Sequence, residues 1–312
     1  MSLPLVVDAH HHLWNLHGAI RYPWLQDPVD PQRFTGDDSA IRVDYGVREF
    51  RADVGSVPLT GSVHVDAGAV DSLAEARWLE QVRAESGLPT VIVASCDLAR
   101  PEAAAQLEEL ASIPSVRGIR HILNWHEDPH WTYVTDPDLM DSPAWRAAFA
   151  RLAPLGLSFD LQVYPHQLLK AAQLAAAFPD TTIVLNHTGM PERLDPEHLA
   201  LWSAGIRALA RRPNTYAKVS GIGMTIHPWT VATIQPLVTA VVEAFGPSRT
   251  AFASNFPVDS LYSTYEELYA AFDACTADLS ASERADLFAG TAVRAYRMDG
   301  LLGDVAQRRP PE

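Results

Sequence analysis

The stretch LPLVVDAHHHLW, Leu3 to Trp14, decides how the rest of the chain is read. A short apolar run ends abruptly in three histidines. If Leu5 to His10 is a strand, side chains alternate, so His10 and His12 share one side while His11 points to the other. Two imidazoles on one side can share one ion. A single strand-end histidine is more simply read as a hydrogen-bonded core residue.

Seven further short apolar runs follow, each far enough from the last to leave room for a helix. They are Gly61 to Asp66, Thr90 to Cys96, Val116 to Leu123, Leu157 to Val163, Thr182 to His187, Thr215 to Ser220 and Thr250 to Asn255. Between them, Asp71 to Ser86 places Leu73, Ala76, Leu79 and Val82 at helical spacing and stops at Gly87. Ser142-Pro143 is an N-cap followed by proline at the first helical position, which starts a helix over Trp145 to Leu155. Pro101 to Ala111, His166 to Phe178, Pro196 to Arg212, Val231 to Phe245 and Ala281 to Tyr296 read as helices too. Alternating strand and helix implies a parallel sheet. Eight units are the number at which such a sheet closes into a (β/α)₈ TIM barrel. An open doubly wound sheet is the alternative.

The 312 residues suit one such barrel as a single domain over residues 1–312, without a linker or low-complexity stretch. The first connection breaks the pattern. Residues 13–60 form a long segment rich in Trp14, Tyr22, Pro23, Trp24, Pro28 and Pro31, which in a barrel would lie over the strand ends as a lid or pocket wall, or else pack as an irregular arm.

Composition narrows the partners. With 38 acidic against 24 basic residues the formal charge is −14, so no basic face is available for nucleic acid. The chain has 47% hydrophobic and 20% charged residues, as a compact globular protein does. Cys96 and Cys275 sit in no paired motif, the N-terminus has no secretory pattern, and no segment has the ~20 apolar residues of a membrane span. A cytoplasmic enzyme with a small-molecule substrate and no membrane partner is expected. Homo-oligomerisation is left open.

At the C-terminal ends of the eight runs stand His10, His12, Asp66, Asp97, Arg120, His121, Gln162, His187, Lys218 and Asn255. Buried strands ordinarily carry Val, Ile and Leu, and burying an unpartnered polar group costs ~1–3 kcal/mol, so this recurrence points to one shared mouth.

The motifs DAHHHLW (8–14), YPWL (22–25), VHVDAG (63–68), GIRH (118–121), FDLQ (159–162), NHTGMP (186–191), KVSG (218–221) and ASNFPVD (253–259), in that order, resemble the amidohydrolase-2 group and most of all its lactonases of sugar lactones and pyrone dicarboxylates. The resemblance implies a TIM-barrel hydrolase of small lactones. It places His10, His12 and His187 where many relatives hold a divalent metal, zinc above all, although some lactonases of the group work without one.

The same resemblance leads one to expect an Asp at the end of the last strand, where this chain has Asn255, and an amide takes no proton at neutral pH. Asp259, four residues on, is the candidate base in its stead, or a loop-capping carboxylate. Lys218 is a candidate for polarising the carbonyl. Arg120, His121, Gln162 and Trp125 are candidates for holding substrate, with Trp131 and Trp229 as further stacking walls. Two other readings stay open: a metal-dependent decarboxylase of an unsaturated or aromatic acid, and a non-catalytic ligand-binding barrel.

Overall fold

The structure, a computed structural model, describes residues 3–29, 32 and 35–302, so Pro31 of the long first connection lies outside the described residues. Eight strands form one sheet in sequential order: β1 (Val6–His11), β2 (Leu59–Val65), β3 (Val91–Ser95), β4 (Val116–Ile122), β5 (Ser158–Gln162), β6 (Ile183–Leu185), β7 (Thr215–Val219) and β8 (Thr250–Phe252). Every neighbouring pair from β1 to β8 is parallel. Sequential order excludes the doubly wound alternative, whose strand order reverses at a switch point.

The ring is drawn together just past the strand ends. The His12 N–H donates to the Phe256 carbonyl and the Asn255 N–H to the His10 carbonyl, both at 2.7 Å. Below this seam the buried Asp8 carboxylate accepts from the Ser254 N–H (2.9 Å), the Ser254 hydroxyl (2.6 Å) and the Tyr265 hydroxyl (3.1 Å). The polar start of the first motif is therefore structural, and it sets Asn255 against the histidines of β1.

The small and branched residues Val7, Ala9, Val63, Val65, Val91, Val93, Val184, Ala251 and Ala253 form one apolar cluster inside the barrel, joined by Ala292, Val293, Tyr296 and Met298 from the C-terminal segment. A larger cluster packs the other strand faces against helices, including Ser72–Ser86, Ala103–Ala111, Leu168–Ala177, Pro196–Ala210 and Val231–Phe245. Among the described residues no helix is long and apolar enough to cross a membrane.

Helix boundaries depart from the sequence reading where backbone chemistry intervenes. The helix expected to reach Leu155 runs only over Pro143–Phe149, ahead of Pro154, which has no N–H to continue it. The segment 281–296 is split by a π turn at Asp286–Gly290. The first connection holds a helix at Val47–Val54, capped by Glu49 reaching back to the Gly46 N–H.

Candidate active site

A cavity of about 490 Å³ opens at the C-terminal mouth of the barrel, a volume suited to a small organic ligand. His12, Arg120, Gln162, His187 and Asn255 line its base, while Pro23, Trp24 and Thr35 from the first connection, Tyr133 from the β4 loop and Met224 from the β7 loop form walls. The first connection is thus a pocket wall. Among the described residues no Asp or Glu lines the cavity, and its charged lining side chain, Arg120, is paired with the Asp66 carboxylate behind it.

The histidines of β1 and β6 meet as the sequence reading requires. The rings of His10 and His12 are 4.9 Å apart and those of His10 and His187 are 4.5 Å apart. His11 points away, stacked on Phe50 at 4.2 Å. His10 lies deepest and is not part of the cavity lining.

All three rings are neutral at neutral pH. Burial, and then the positive charge of Lys218, push His10 far down; burial, then Arg120, do the same to His187; burial, then Arg120, lower His12 to about 4.

Backbone geometry fixes His187 and Asn255. His187, Thr188 and Met190 all have positive φ (53°, 59° and 48°), as does Asn255 at 59°, a region that non-glycine residues seldom adopt and that collects at functional sites. The Ser220 Oγ lies 3.2 Å from His187 Nδ1, and Thr188 Oγ1 donates to the Ser220 carbonyl at 3.1 Å. The motif KVSG needs its glycine here: a Cβ on Gly221 (φ +62°) would sit 2.6 Å from His187 Nδ1.

Arg120 is held rigidly from β4. Its Nε donates to Asp66 Oδ2, Nη2 to the Asp66 carbonyl, and Nη1 to Gln162 Oε1 at 3.2 Å. A guanidinium has five N–H groups, so one on each of Nη1 and Nη2 remains beyond these bonds. Asp66 anchors Arg120 and Gln162 steadies it.

Several expected site residues lie elsewhere. Lys218 is fully buried below the cavity, 2.6 Å from Asp160, where it cannot reach a substrate carbonyl. Asp259 also fails to line the cavity. Its Oδ2 accepts from the Gly221 N–H at 3.1 Å beside a narrow separate cleft, its carboxyl is hydrogen-bonded to the Asn255 side chain, and burial raises its pKa to about 8, which favours the protonated form.

His121 faces the helices, accepting from Trp145 Nε1 (3.2 Å) and the Leu98 N–H (3.3 Å), because it is one residue out of phase with Arg120 on the same strand. Trp125 packs edge-on against His166 with ring centres 6.1 Å apart, and Trp131 against Tyr164, so neither contributes a cavity wall. Trp229 borders the cleft beside Asp259. Asp97 is half-exposed and pairs with Arg100. The sequence reading gave no role to Ser220, although it falls within the motif KVSG, and missed Tyr133 and Met224, which lie in the connections after β4 and β7.

A three-histidine metal centre needs three lone pairs aimed at one point. Lys218 Nζ, a donor only, lies 3.4 Å from His10 Nδ1 and takes that lone pair, leaving the ring proton on Nε2. Nε2 itself is buried without a hydrogen-bond partner. His12 Nδ1 faces the Val65 carbonyl at 2.8 Å and must donate to it, while its Nε2 faces Asn255 Oδ1 at 3.3 Å. No three His, Cys, Asp or Glu side chains among the described residues are gathered so as to hold a metal ion. As arranged, these residues do not fit a metal.

Comparison with known proteins places these features in a lineage. The family model described as Amidohydrolase matches residues 7–298. An uncharacterized protein of Sinorhizobium fredii is 40% identical over 301 residues, covering 96% of this chain and 100% of that one. An L-fucono-1,5-lactonase of Burkholderia ambifaria is 28% identical over 304 residues, covering 96% and 97%. The crystal structure of an amidohydrolase from Burkholderia multivorans with bound zinc superposes with a TM-score of 0.80 at 26% identity, over 94% of this chain and 99% of that one.

Proposed function

Since the chain belongs to the amidohydrolase family, we propose that it hydrolyses the ring ester of a small lactone, with His187 as general base and Arg120 as the carbonyl-polarising group. The observation that carries the reading is that a neutral imidazole and a fixed guanidinium line one cavity at the mouth. The likeness to an L-fucono-1,5-lactonase along nearly the whole chain supports the choice of ester.

His187 is steadied at Nδ1 by Ser220, which leaves Nε2 to accept a proton from water as the water oxygen attacks the ring carbonyl carbon. Negative charge then develops on the carbonyl oxygen, where the remaining Arg120 N–H groups stabilise it. Arg120 is already positioned by Asp66, so little reorganisation opposes the step.

The tetrahedral species collapses by breaking the ring C–O bond, and the imidazolium returns its proton to the departing alkoxide, giving the hydroxy acid. The surroundings that hold His187 neutral also make its imidazolium a strong acid for this second transfer. The apolar walls Trp24, Ile122 and Met224 cover the ring, and a carboxylate on the substrate would be welcomed by the absence of lining acids among the described residues.

A panel of aldono-, muconate-type and pyrone-type lactones read by acid release tests the reading. Turnover of one or more supports it. Release of carbon dioxide from unsaturated or aromatic acids, with every lactone left intact, favours the decarboxylase instead.

A further inference from the structure

The contact between His12 and Asn255 carries a consequence for metal dependence that holds whichever ester the cavity accepts. His12 Nδ1 gives its proton to the Val65 carbonyl at 2.8 Å, so its lone pair is on Nε2, pointed at the Asn255 side chain 3.3 Å away. Both partners are buried, and Asn255 is pinned by its left-handed backbone and by its N–H bond to the His10 carbonyl.

With Oδ1 toward the ring, two acceptors oppose each other. Half a turn of the carboxamide exchanges two near-isosteric groups and presents Nδ2–H to the imidazole instead. The turn gives up a contact of Nδ2 to Met224 Sδ and reorients the side-chain hydrogen bond between Asn255 and Asp259. A carboxylate at this position could not make that exchange, because it has lone pairs alone, and a cation between it and His12 would be the natural way to reconcile them.

We propose that Asn255, by donating to His12 Nε2, together with Lys218 donating to His10 Nδ1, fixes two of the three imidazoles in hydrogen-bonded states that offer no lone pair to a metal. The site is then a hydrogen-bonding centre, and Asn255→Asp is the single change that opens it to a divalent cation. Lys218 and Asn255 act here as positioning residues, one beneath the histidines and one beside them.

The experiment uses the full chain, expressed with zinc in the medium. It combines elemental analysis, zinc titration against a chromophoric chelator, and long-range proton–nitrogen spectra of the imidazoles. The parent is expected to carry substoichiometric zinc, to melt at the same temperature with and without chelator, and to show His12 protonated at Nδ1 and His10 at Nε2 whether or not zinc is added. Asn255→Asp is expected to take up about one zinc per chain, with affinity raised by about 100-fold or more, given that even an outer partner of a metal-bound histidine is worth about 10–100-fold.

A parent carrying one zinc per chain, with chelation lowering its melting temperature and zinc shifting the His10 and His12 nitrogens, overturns the proposal. So does an Asn255→Asp protein that binds zinc no better than the parent. If that variant does not fold, the imidazole spectra of the parent decide. Lactone turnover is not read in this experiment, so its outcome is separate from that of the proposed reaction.

Discussion

Lys218 and Asp160 form an ion pair of 2.6 Å inside the barrel with neither side chain reaching solvent. The Tyr296 hydroxyl donates to the same carboxylate, at 2.8 Å to Oδ1, and Lys218 Nζ sits 5.1 Å above the Tyr296 ring. The C-terminal segment, β5 and β7 are thereby joined directly beneath His10.

Lys218→Met leaves Asp160 buried and unpaired. The expected loss is about 3–5 kcal/mol in urea unfolding, the usual cost of removing one partner of a buried pair. The double change Lys218→Met with Asp160→Leu is expected to recover much of it. A Lys218→Met protein as stable as the parent contradicts the structural role.

Asp259→Asn tests the base from the other direction. The carboxyl does not itself line the cavity but lies behind Asn255, to which it is hydrogen-bonded, and burial favours its protonated form, so kcat for a turned-over lactone should stay within roughly tenfold of the parent. A fall of about 10²–10⁴, the range for losing a general base, would return Asp259 to that role.

Gly221→Ala places a methyl group 2.6 Å from His187 Nδ1 and 2.7 Å from Met224 Cε, at a backbone conformation that alanine disfavours. The expected result is a stability loss of at least about 1 kcal/mol and a drop in kcat/KM on the order of 100-fold, because displacing a catalytic group by about an ångström has that effect. Unchanged kinetics would show that His187 tolerates displacement.

Glu75, on the helix Ser72–Ser86, is buried beneath the β2 loop and accepts from the Ala67 N–H at 3.1 Å. Burial, reinforced by the charge on Asp66, raises its pKa from 4.5 to about 8. The folded protein thus keeps a proton that the unfolded chain has released. The resulting stability is complete below about pH 4.5 and is lost as the pH rises through about 8, at up to about 1.4 kcal/mol per pH unit. Glu75→Gln should flatten that slope, so that its melting temperature falls less than the parent's between pH 6 and pH 8. Parallel slopes contradict the assignment.

The barrel was legible because eight apolar runs, most of them ending in polar residues, were each separated by room for a helix, as the alternating units of a closed parallel sheet require. That His10, His12, His187, Arg120 and Gln162 meet at one mouth was legible for the same reason, since they stand on or just past strands whose ends converge. His121 was misread because alternation along β4 reverses its direction relative to Arg120, and one residue of phase separates a pocket from a helix interface. Lys218 is in phase but too deep, and depth along a strand has no signature in composition. Asp259 has the chemistry of a base and is near Asn255 in sequence, but the turn after β8 carries it behind the cavity lining. Tyr133 and Met224 are placed by tertiary packing that no local pattern records, and Ser220, though inside the motif KVSG, shows its role only once His187 is set against it.

The most direct measurement is the rate of acid release from a lactone panel by the parent and by His187→Gln, with thermal melting of both proteins in parallel. Lactone hydrolysis by the parent is expected, with a loss of about 10²–10⁴ in kcat for the variant and a melting temperature little changed. Absence of hydrolysis across the panel, or equal rates in the two proteins, contradicts the proposed reaction.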